Sequence, residues 1–118
     1  MLEFIVIVES GADARTATKL AERILKAKVD WLDDFLIRHI YHWTGLEEGT
    51  EFSCWKDITK IIDDAKQQLK YKEPRFLGHY SEGVRFQADG ARATKTLNLV
   101  RFLQKTREIK AVLLIRDV

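Results

Sequence analysis

The sequence predicts a three-layer α/β domain, in which a mostly parallel sheet lies between helices. The first observation is that an apolar run at residues 4–8 opens the chain and a mostly apolar segment at residues 109–118, which ends in an acid, closes it. Such runs are typical of strands buried on both faces of a parallel sheet. The second observation is a helical pattern just before the last run, because helical crossovers join parallel strands. With 118 residues, the chain is long enough for one domain, which we assign to residues 1–118.

Two amphipathic helices are predicted to follow the first strand. The first covers residues 12–26, and its apolar stripe is expected to be buried; the stripe consists of Ala17, Leu20, Ala21, Ile24 and Leu25. Asp30 can cap the second helix, which is predicted to run through Trp31 to Trp43 with a wide aromatic face. These two helices begin the predicted helical insertion between the outer strands.

Two further helices are predicted before the last strand. Ser53 is expected to cap the third, which ends near Leu69, and Asp89 the fourth, at about residues 91–105. The core stripe of the fourth helix consists of Ala93, Leu97, Val100 and Leu103. Between these helices, Pro74 opens a segment that is predicted to be extended at residues 75–80 and 84–86.

Composition excludes several classes of protein. The net charge of +2 permits nucleic-acid binding without arguing for it. The apolar runs fall short of the roughly 18 residues that a membrane span needs, and no basic segment precedes the first run as in a signal peptide. The single cysteine, Cys54, cannot form an internal disulfide, which fits a reducing compartment. We therefore expect a cytoplasmic protein with no membrane partner.

Acidic residues follow the first and the last predicted strand and form the main candidate site. Glu9 follows the first strand and Asp117 the last, so neighbouring parallel strands would bring the two carboxylates together. Such a pair can hold Mg²⁺ or Mn²⁺, with Asp13 as a possible third ligand. Without a metal, the like charges would raise one pKa and provide a general acid or base. The alternative is that these acids only cap turns and face solvent.

The segment from Ile5 to Asp13, followed by an amphipathic helix, resembles the first motif of the Toprim (topoisomerase–primase) domain. That motif is a hydrophobic strand, a glutamate, a small turn and a helix. The closing segment from Val112 to Val118 resembles the third Toprim strand, which ends in Asp-x-Asp. The likeness is to stand-alone, nuclease-type Toprim-like proteins with a helical insertion, many of them uncharacterised. The sequence departs from the family at Ser10, where a glycine is common.

The resemblance implies Mg²⁺-dependent phosphodiester or phosphoryl-transfer chemistry on nucleic acid. It assigns Glu9 as the catalytic acid/base and as a metal ligand, and Asp117 as the first metal-binding aspartate. The second aspartate of the motif would fall just past Val118, so we expect the metal site to be incomplete in this chain and the chain to be the N-terminal part of a longer one.

Basic residues near the fourth helix give the strongest indication of a nucleic-acid partner. Only Asp89 is acidic between residues 84 and 107, whereas six residues there are basic. We predict phosphate contacts from Arg92 and Lys95, and from Arg116 beside the candidate metal site. A solvated helix face explains the same imbalance.

Two other functions remain open at this point. A non-catalytic interaction domain would form a homodimer through aromatic helices, with Trp31, Trp43 and Trp55 in core or subunit packing rather than in base stacking. A receiver-type signalling domain is disfavoured, because paired acids after the first strand and a later lysine strand are not recognisable. His39 and His42 lie three residues apart on the predicted second helix and suit a packed helix face better than a metal site.

Overall fold

In a computed structural model, the chain forms a mixed α/β fold with a four-stranded parallel sheet, and the structure describes residues 2–74 and 88–116. A short 3₁₀ turn at Trp55–Asp57 precedes the third helix. The other elements, in chain order, are β1 (Leu2–Val8), α1 (Gly11–Lys28), α2 (Asp34–Ile40), β2 (Tyr41–Thr44), β3 (Ser53–Cys54), α3 (Ile58–Gln68), α4 (Ala88–Leu103) and β4 (Ile109–Leu114).

Strand β1 is the centre of the sheet, because each of the other three strands pairs with it in parallel. β4 pairs with residues 3–7 of β1. β2 pairs with residues 2–5 and β3 with residues 7–8. Since a strand has two edges, β2 and β3 share the edge that β4 does not use. The predicted parallel pairing of the first and last strands is confirmed.

The two faces of β1 belong to two separate apolar clusters. Ile5 and Ile7 are fully buried in the larger cluster, with residues of α3, α4 and β4. Val6 and Val8 pack against Ala14 of α1 in the smaller one. This alternation explains the unbroken apolar run, because both faces of β1 are covered.

The predicted second helix is wrong at both ends. Its N-cap is Asp33 rather than Asp30, since the Asp33 carboxylate accepts a 2.9 Å hydrogen bond from the Leu36 N–H. It ends at Ile40, and β2 follows directly. Aromatic and β-branched residues such as Tyr41, Trp43 and Thr44 favour a strand when a partner edge is available, and β1 provides that edge.

The predicted cap of the third helix is also wrong. Ser53 lies in β3, and its hydroxyl accepts a 2.8 Å hydrogen bond from the Leu46 N–H, so it holds the preceding loop. That loop passes through Gly45, where an added Cβ would lie 2.5 Å from the Phe52 carbonyl oxygen. The predicted extended segments at 75–80 and 84–86 lie outside the described residues.

The first and fourth helices form close to where the sequence places them, and their predicted buried faces are correct only in part. α4 begins at Ala88, so the prediction that Asp89 caps it is wrong. On α1, Leu20 and Ile24 are exposed, whereas Ala14 is buried. On α4, Leu97 is exposed and Thr96 is buried together with Leu99, Val100 and Leu103. Periodicity located the helices but not the exact face that packs. No helix within the described residues is long and apolar enough to cross a membrane.

Candidate functional site at the carboxyl edge of the sheet

The carboxyl ends of β1 and β4 bring Glu9 and Arg116 together. Ile7 pairs with Leu114, and the Ile115 N–H donates a 2.9 Å hydrogen bond to the Ile7 carbonyl, so the register continues past both strands. Arg116 Nε lies 3.5 Å from Glu9 Oε1. The two side chains are 32% and 30% exposed, respectively. The result is an ion pair that solvent and small ligands can reach.

Trp55, which follows β3 in the chain, holds the C-terminal end of β4. Its indole N–H donates a 2.7 Å hydrogen bond to the Ile115 carbonyl, and the Arg116 guanidinium carbon lies 5.3 Å from its ring centre. Trp55 is buried in the 3₁₀ turn that follows β3, so it packs in the core as one of the two predicted alternatives. The sequence did not predict that Trp55 lies next to Arg116.

Ser10 and Asp13 form the turn between Glu9 and α1. The Ser10 hydroxyl donates a 3.2 Å hydrogen bond to Asp13 Oδ2, and the Asp13 N–H donates a 3.0 Å bond to the Ser10 carbonyl. Asp13 lies in the first turn of α1, where the helix dipole favours a carboxylate. Two carboxylates and one hydroxyl therefore lie within five consecutive residues at this edge.

A cavity of about 380 Å³ opens beside the turn, at the N-terminal half of α1. Its charged lining residues are Arg15 and Glu51, and its aromatic lining residues are Trp43 and Phe52. Gly11 also lines it, close to the Phe52 ring. Gly11 is the residue of the turn that lines this cavity, and Glu9, Asp13 and Arg116 do not line it.

The predicted site residues are only partly brought together. Glu9, Asp13 and Arg116 lie at the carboxyl edge, whereas Asp117 lies outside the described residues. Arg92 and Lys95 are exposed on α4, a separate element, so their predicted phosphate contacts stay predictions.

The oxygen ligands present suit a hard cation, but they are few. Within residues 2–74 and 88–116, no cluster of three or more histidine, cysteine, aspartate or glutamate side chains is arranged to hold a metal ion. Mg²⁺ is commonly held by one or two carboxylates together with waters and substrate phosphates. The chemistry of Glu9 and Asp13 fits that mode, and Arg116 competes with a cation for Glu9.

The two candidate histidines lie on different elements. His39 is on α2, where its ring stacks on Phe35 and its Nδ1 lies 2.7 Å from the Phe35 carbonyl oxygen. His42 is on β2. The predicted packed helix face is wrong for both, because His39 and His42 are exposed.

A second Glu–Arg pair, which the sequence analysis did not identify, lies at the opposite end of β1. Arg107 Nη2 lies 2.6 Å from Glu3 Oε1, and the two side chains are 7% and 15% exposed. The same guanidinium donates 2.7 Å and 3.0 Å hydrogen bonds to the carbonyls of Leu46 and Gly45. Hydrogen bonding to Arg107 holds the pKa of Glu3 below its ordinary value.

No protein-family model matches the chain, and comparisons with curated proteins and with solved structures found no match.

Proposed function

We propose that the carboxyl edge of the sheet is a Toprim-like site that carries out Mg²⁺-dependent phosphodiester or phosphoryl-transfer chemistry on nucleic acid in the cytoplasm. One observation carries the proposal: Glu9 and Arg116 lie 3.5 Å apart at the ends of neighbouring parallel strands, the edge where open α/β sheets place ligands. The two apolar clusters on opposite faces of β1 support a three-layer arrangement as part of the same proposal.

Arg116 and Glu9 have complementary roles in this proposal. A guanidinium binds phosphate with the same donors that it offers to a carboxylate. An incoming phosphate ester therefore takes over Arg116 and releases the Glu9 carboxylate, which can then bind the ion or accept a proton. Trp55 keeps Arg116 in place through its hydrogen bond to the Ile115 carbonyl. The resting ion pair thus holds the acid/base until a substrate arrives.

Glu9 and Asp13, with Asp117 from the sequence motif, are the proposed ligands of the ion. When bound, Mg²⁺ supplies polarisation of a phosphoryl oxygen. Ser10 orients the Asp13 carboxylate through its hydroxyl. Arg92 and Lys95 are proposed to contact phosphates farther along the nucleic acid.

The test combines calorimetric titration of Mn²⁺ into the longest natural form of the chain with a cleavage assay on a labelled oligonucleotide. We expect saturable Mn²⁺ binding that Glu9→Gln and Asp117→Asn abolish and Asp13→Asn weakens. Loss of the acid/base in Glu9→Gln should lower the rate about 100-fold or more, and Arg116→Ala should mainly raise KM. Asp63→Asn, at an exposed position on α3, is the matched control. Wild-type protein that does not bind Mn²⁺, or full activity of Glu9→Gln, would overturn the proposal.

A second candidate is the non-catalytic interaction domain that forms a homodimer. It is favoured by Trp31 and Phe35, which are 66% and 68% exposed and therefore lie outside the core of this chain. Sedimentation velocity over a hundredfold range of protein concentration tests it. A dimer that Trp31→Ser converts to monomer supports this function, and a monomer throughout the range rules it out.

A further inference from the structure

Basic residues are concentrated on the outward side of α1. Its five basic residues are all exposed, and four of them lie on one side of the helix and form the basic face of α1, which consists of Arg15, Lys19, Arg23 and Lys26. The helix contains two acids, and both are engaged in hydrogen bonds. Asp13 is in the first turn, bound by Ser10, and Glu22 accepts a 2.8 Å hydrogen bond from the Trp43 indole N–H and one from the Tyr41 hydroxyl. A chain of net charge +2 therefore concentrates cations on one surface.

Two exposed aromatic rings follow the basic face. Lys26 forms an ion pair with Asp34, which ties the first turn of α2 to the end of α1. Trp31 lies in the short connection between these helices, and Phe35 is in the first turn of α2. Of the two predicted environments of Trp31, packing in the core of this chain is wrong, and packing against another subunit stays a prediction. Within one chain the ring is exposed.

We propose that the basic face of α1, together with Trp31 and Phe35, binds single-stranded nucleic acid without sequence preference. Cations contact the phosphates of any sequence, and exposed aromatic rings stack on unpaired bases. α1 has 18 residues and spans about 27 Å, so the surface is long enough for several nucleotides. This inference goes beyond the proposed chemistry, because none of these residues is a proposed ligand of the ion.

A second copy of the chain fits this surface less well than a polyanion. In a twofold dimer whose axis passes through α1, each basic face would oppose another basic face. Juxtaposed like charges disfavour such a contact. A negatively charged partner complements the basic face, and the exposed carboxylates of Asp30, Asp33 and Asp34 would keep its phosphates along α1 rather than over the two rings.

A membrane surface also fits less well. Helices that lie in a membrane interface bury their apolar face among the lipids. The apolar side of α1 already packs on the sheet, where Ala14 contacts the cluster of Val6 and Val8. The outward side offers only Leu20 and Ile24 as large apolar residues.

The first experiment measures fluorescence anisotropy of a labelled 20-nucleotide oligothymidylate as the whole chain is added, at several salt concentrations. Lys19→Gln/Arg23→Gln should weaken binding about tenfold and make the salt dependence less steep by roughly 1.4, since each phosphate contact contributes about 0.7. Lys56→Gln/Lys60→Gln is the matched control, because these exposed lysines have the same four-residue spacing and the same loss of charge. The control should bind within twofold of the wild type.

The second experiment tests stacking. Trp31→Ala should weaken oligothymidylate binding at least fivefold, and Trp31→Phe should largely restore it, since stacking needs only an aromatic ring. The binding titrations contain no divalent cation, so the proposed Mg²⁺-dependent chemistry does not operate in them, and failure of the chemistry and failure of this surface are distinguishable. The proposal would be overturned if Lys19→Gln/Arg23→Gln and its control Lys56→Gln/Lys60→Gln weakened binding equally, or if Trp31→Ala left the affinity unchanged. Binding to phosphatidylserine vesicles without binding to oligothymidylate would also overturn it.

Discussion

The two ends of β1 carry the same kind of ion pair in opposite surroundings. At the amino end, Glu3 and Arg107 are nearly inaccessible to water, and Arg107 also donates to the carbonyls of Leu46 and Gly45. At the carboxyl end, Glu9 and Arg116 are about one third exposed and lie 3.5 Å apart. The same type of ion pair therefore occurs at both ends of β1, once shielded from solvent and once accessible to it.

Burial and the number of engaged donors, rather than residue type, determine whether such an ion pair is structural or can exchange its partner for a ligand. The Arg107 guanidinium is nearly inaccessible to water and donates hydrogen bonds from all three of its nitrogens. Removing either partner leaves the other without compensation, so breaking the amino-end pair destabilises the fold. A half-exposed pair is worth little to stability and can exchange partners at small cost. The carboxyl-end pair is therefore suited to binding anions.

The largest expected effect comes from Arg107→Ala. It leaves the Glu3 carboxylate buried without its partner and removes the donors to two loop carbonyls, so we expect a loss of about 3–5 kcal/mol in the free energy of unfolding. Urea denaturation at pH 7 measures it. Lys110→Ala, at an exposed position on β4, should change the same free energy by less than about 0.5 kcal/mol. Equal losses in the two variants would show that the amino-end pair contributes no more to the free energy of unfolding than an exposed lysine does.

An intermediate effect is expected from pH. Because Arg107 lowers the pKa of Glu3 in the folded protein relative to its ordinary value of 4.5, folding favours the ionised carboxylate. This stability is present above pH 4.5 and is lost as the pH falls through the lower, folded pKa. Urea denaturation at pH 6 and at pH 3 should show a smaller acid-induced loss in Glu3→Gln than in the wild type. Identical losses would contradict the assignment.

The smallest effect is expected at the carboxyl end. A double-mutant cycle of Glu9→Ala and Arg116→Ala should give a coupling energy of about 0.2–1 kcal/mol, as is usual for exposed pairs. Urea denaturation of the wild type, both single variants and the double variant provides the cycle. A coupling energy above about 3 kcal/mol would mean that the open pair is a structural element like the closed one.

The first and last strands, the first and fourth helices and the parallel pairing could be predicted from the sequence, because long apolar runs and sustained periodicity are strong signals. β2 was assigned to a helix because its four residues continue an apolar pattern without a glycine or proline break. Two-residue β3 is too short to carry any pattern. Their pairing with β1 is a tertiary effect that local propensity does not encode.

The candidate site was predictable only in part. Acids after buried strands pointed to Glu9, but the partner that the structure places opposite it is Arg116. The contact between Trp55 and Ile115 joins residues 60 positions apart, and the one between Glu3 and Arg107 joins residues 104 positions apart. No local spacing rule connects such residues, although a charged residue at each end of both outer strands was visible in the sequence.

The pairing of β1 with β4 has a consequence for the order of folding. Glu3 is in register with Ile109, so the two strands must close a loop of about a hundred residues before either is fully paired. Contacts between residues this distant in sequence slow folding, because the entropy of closure is lost before the contacts form. During synthesis on the ribosome, β1 emerges before β4, the strand with which it forms its longest pairing. β1 therefore stays without this partner until β4 has been made. Over that interval its fully buried residues, Ile5 to Val8, form an apolar segment that chaperones can bind.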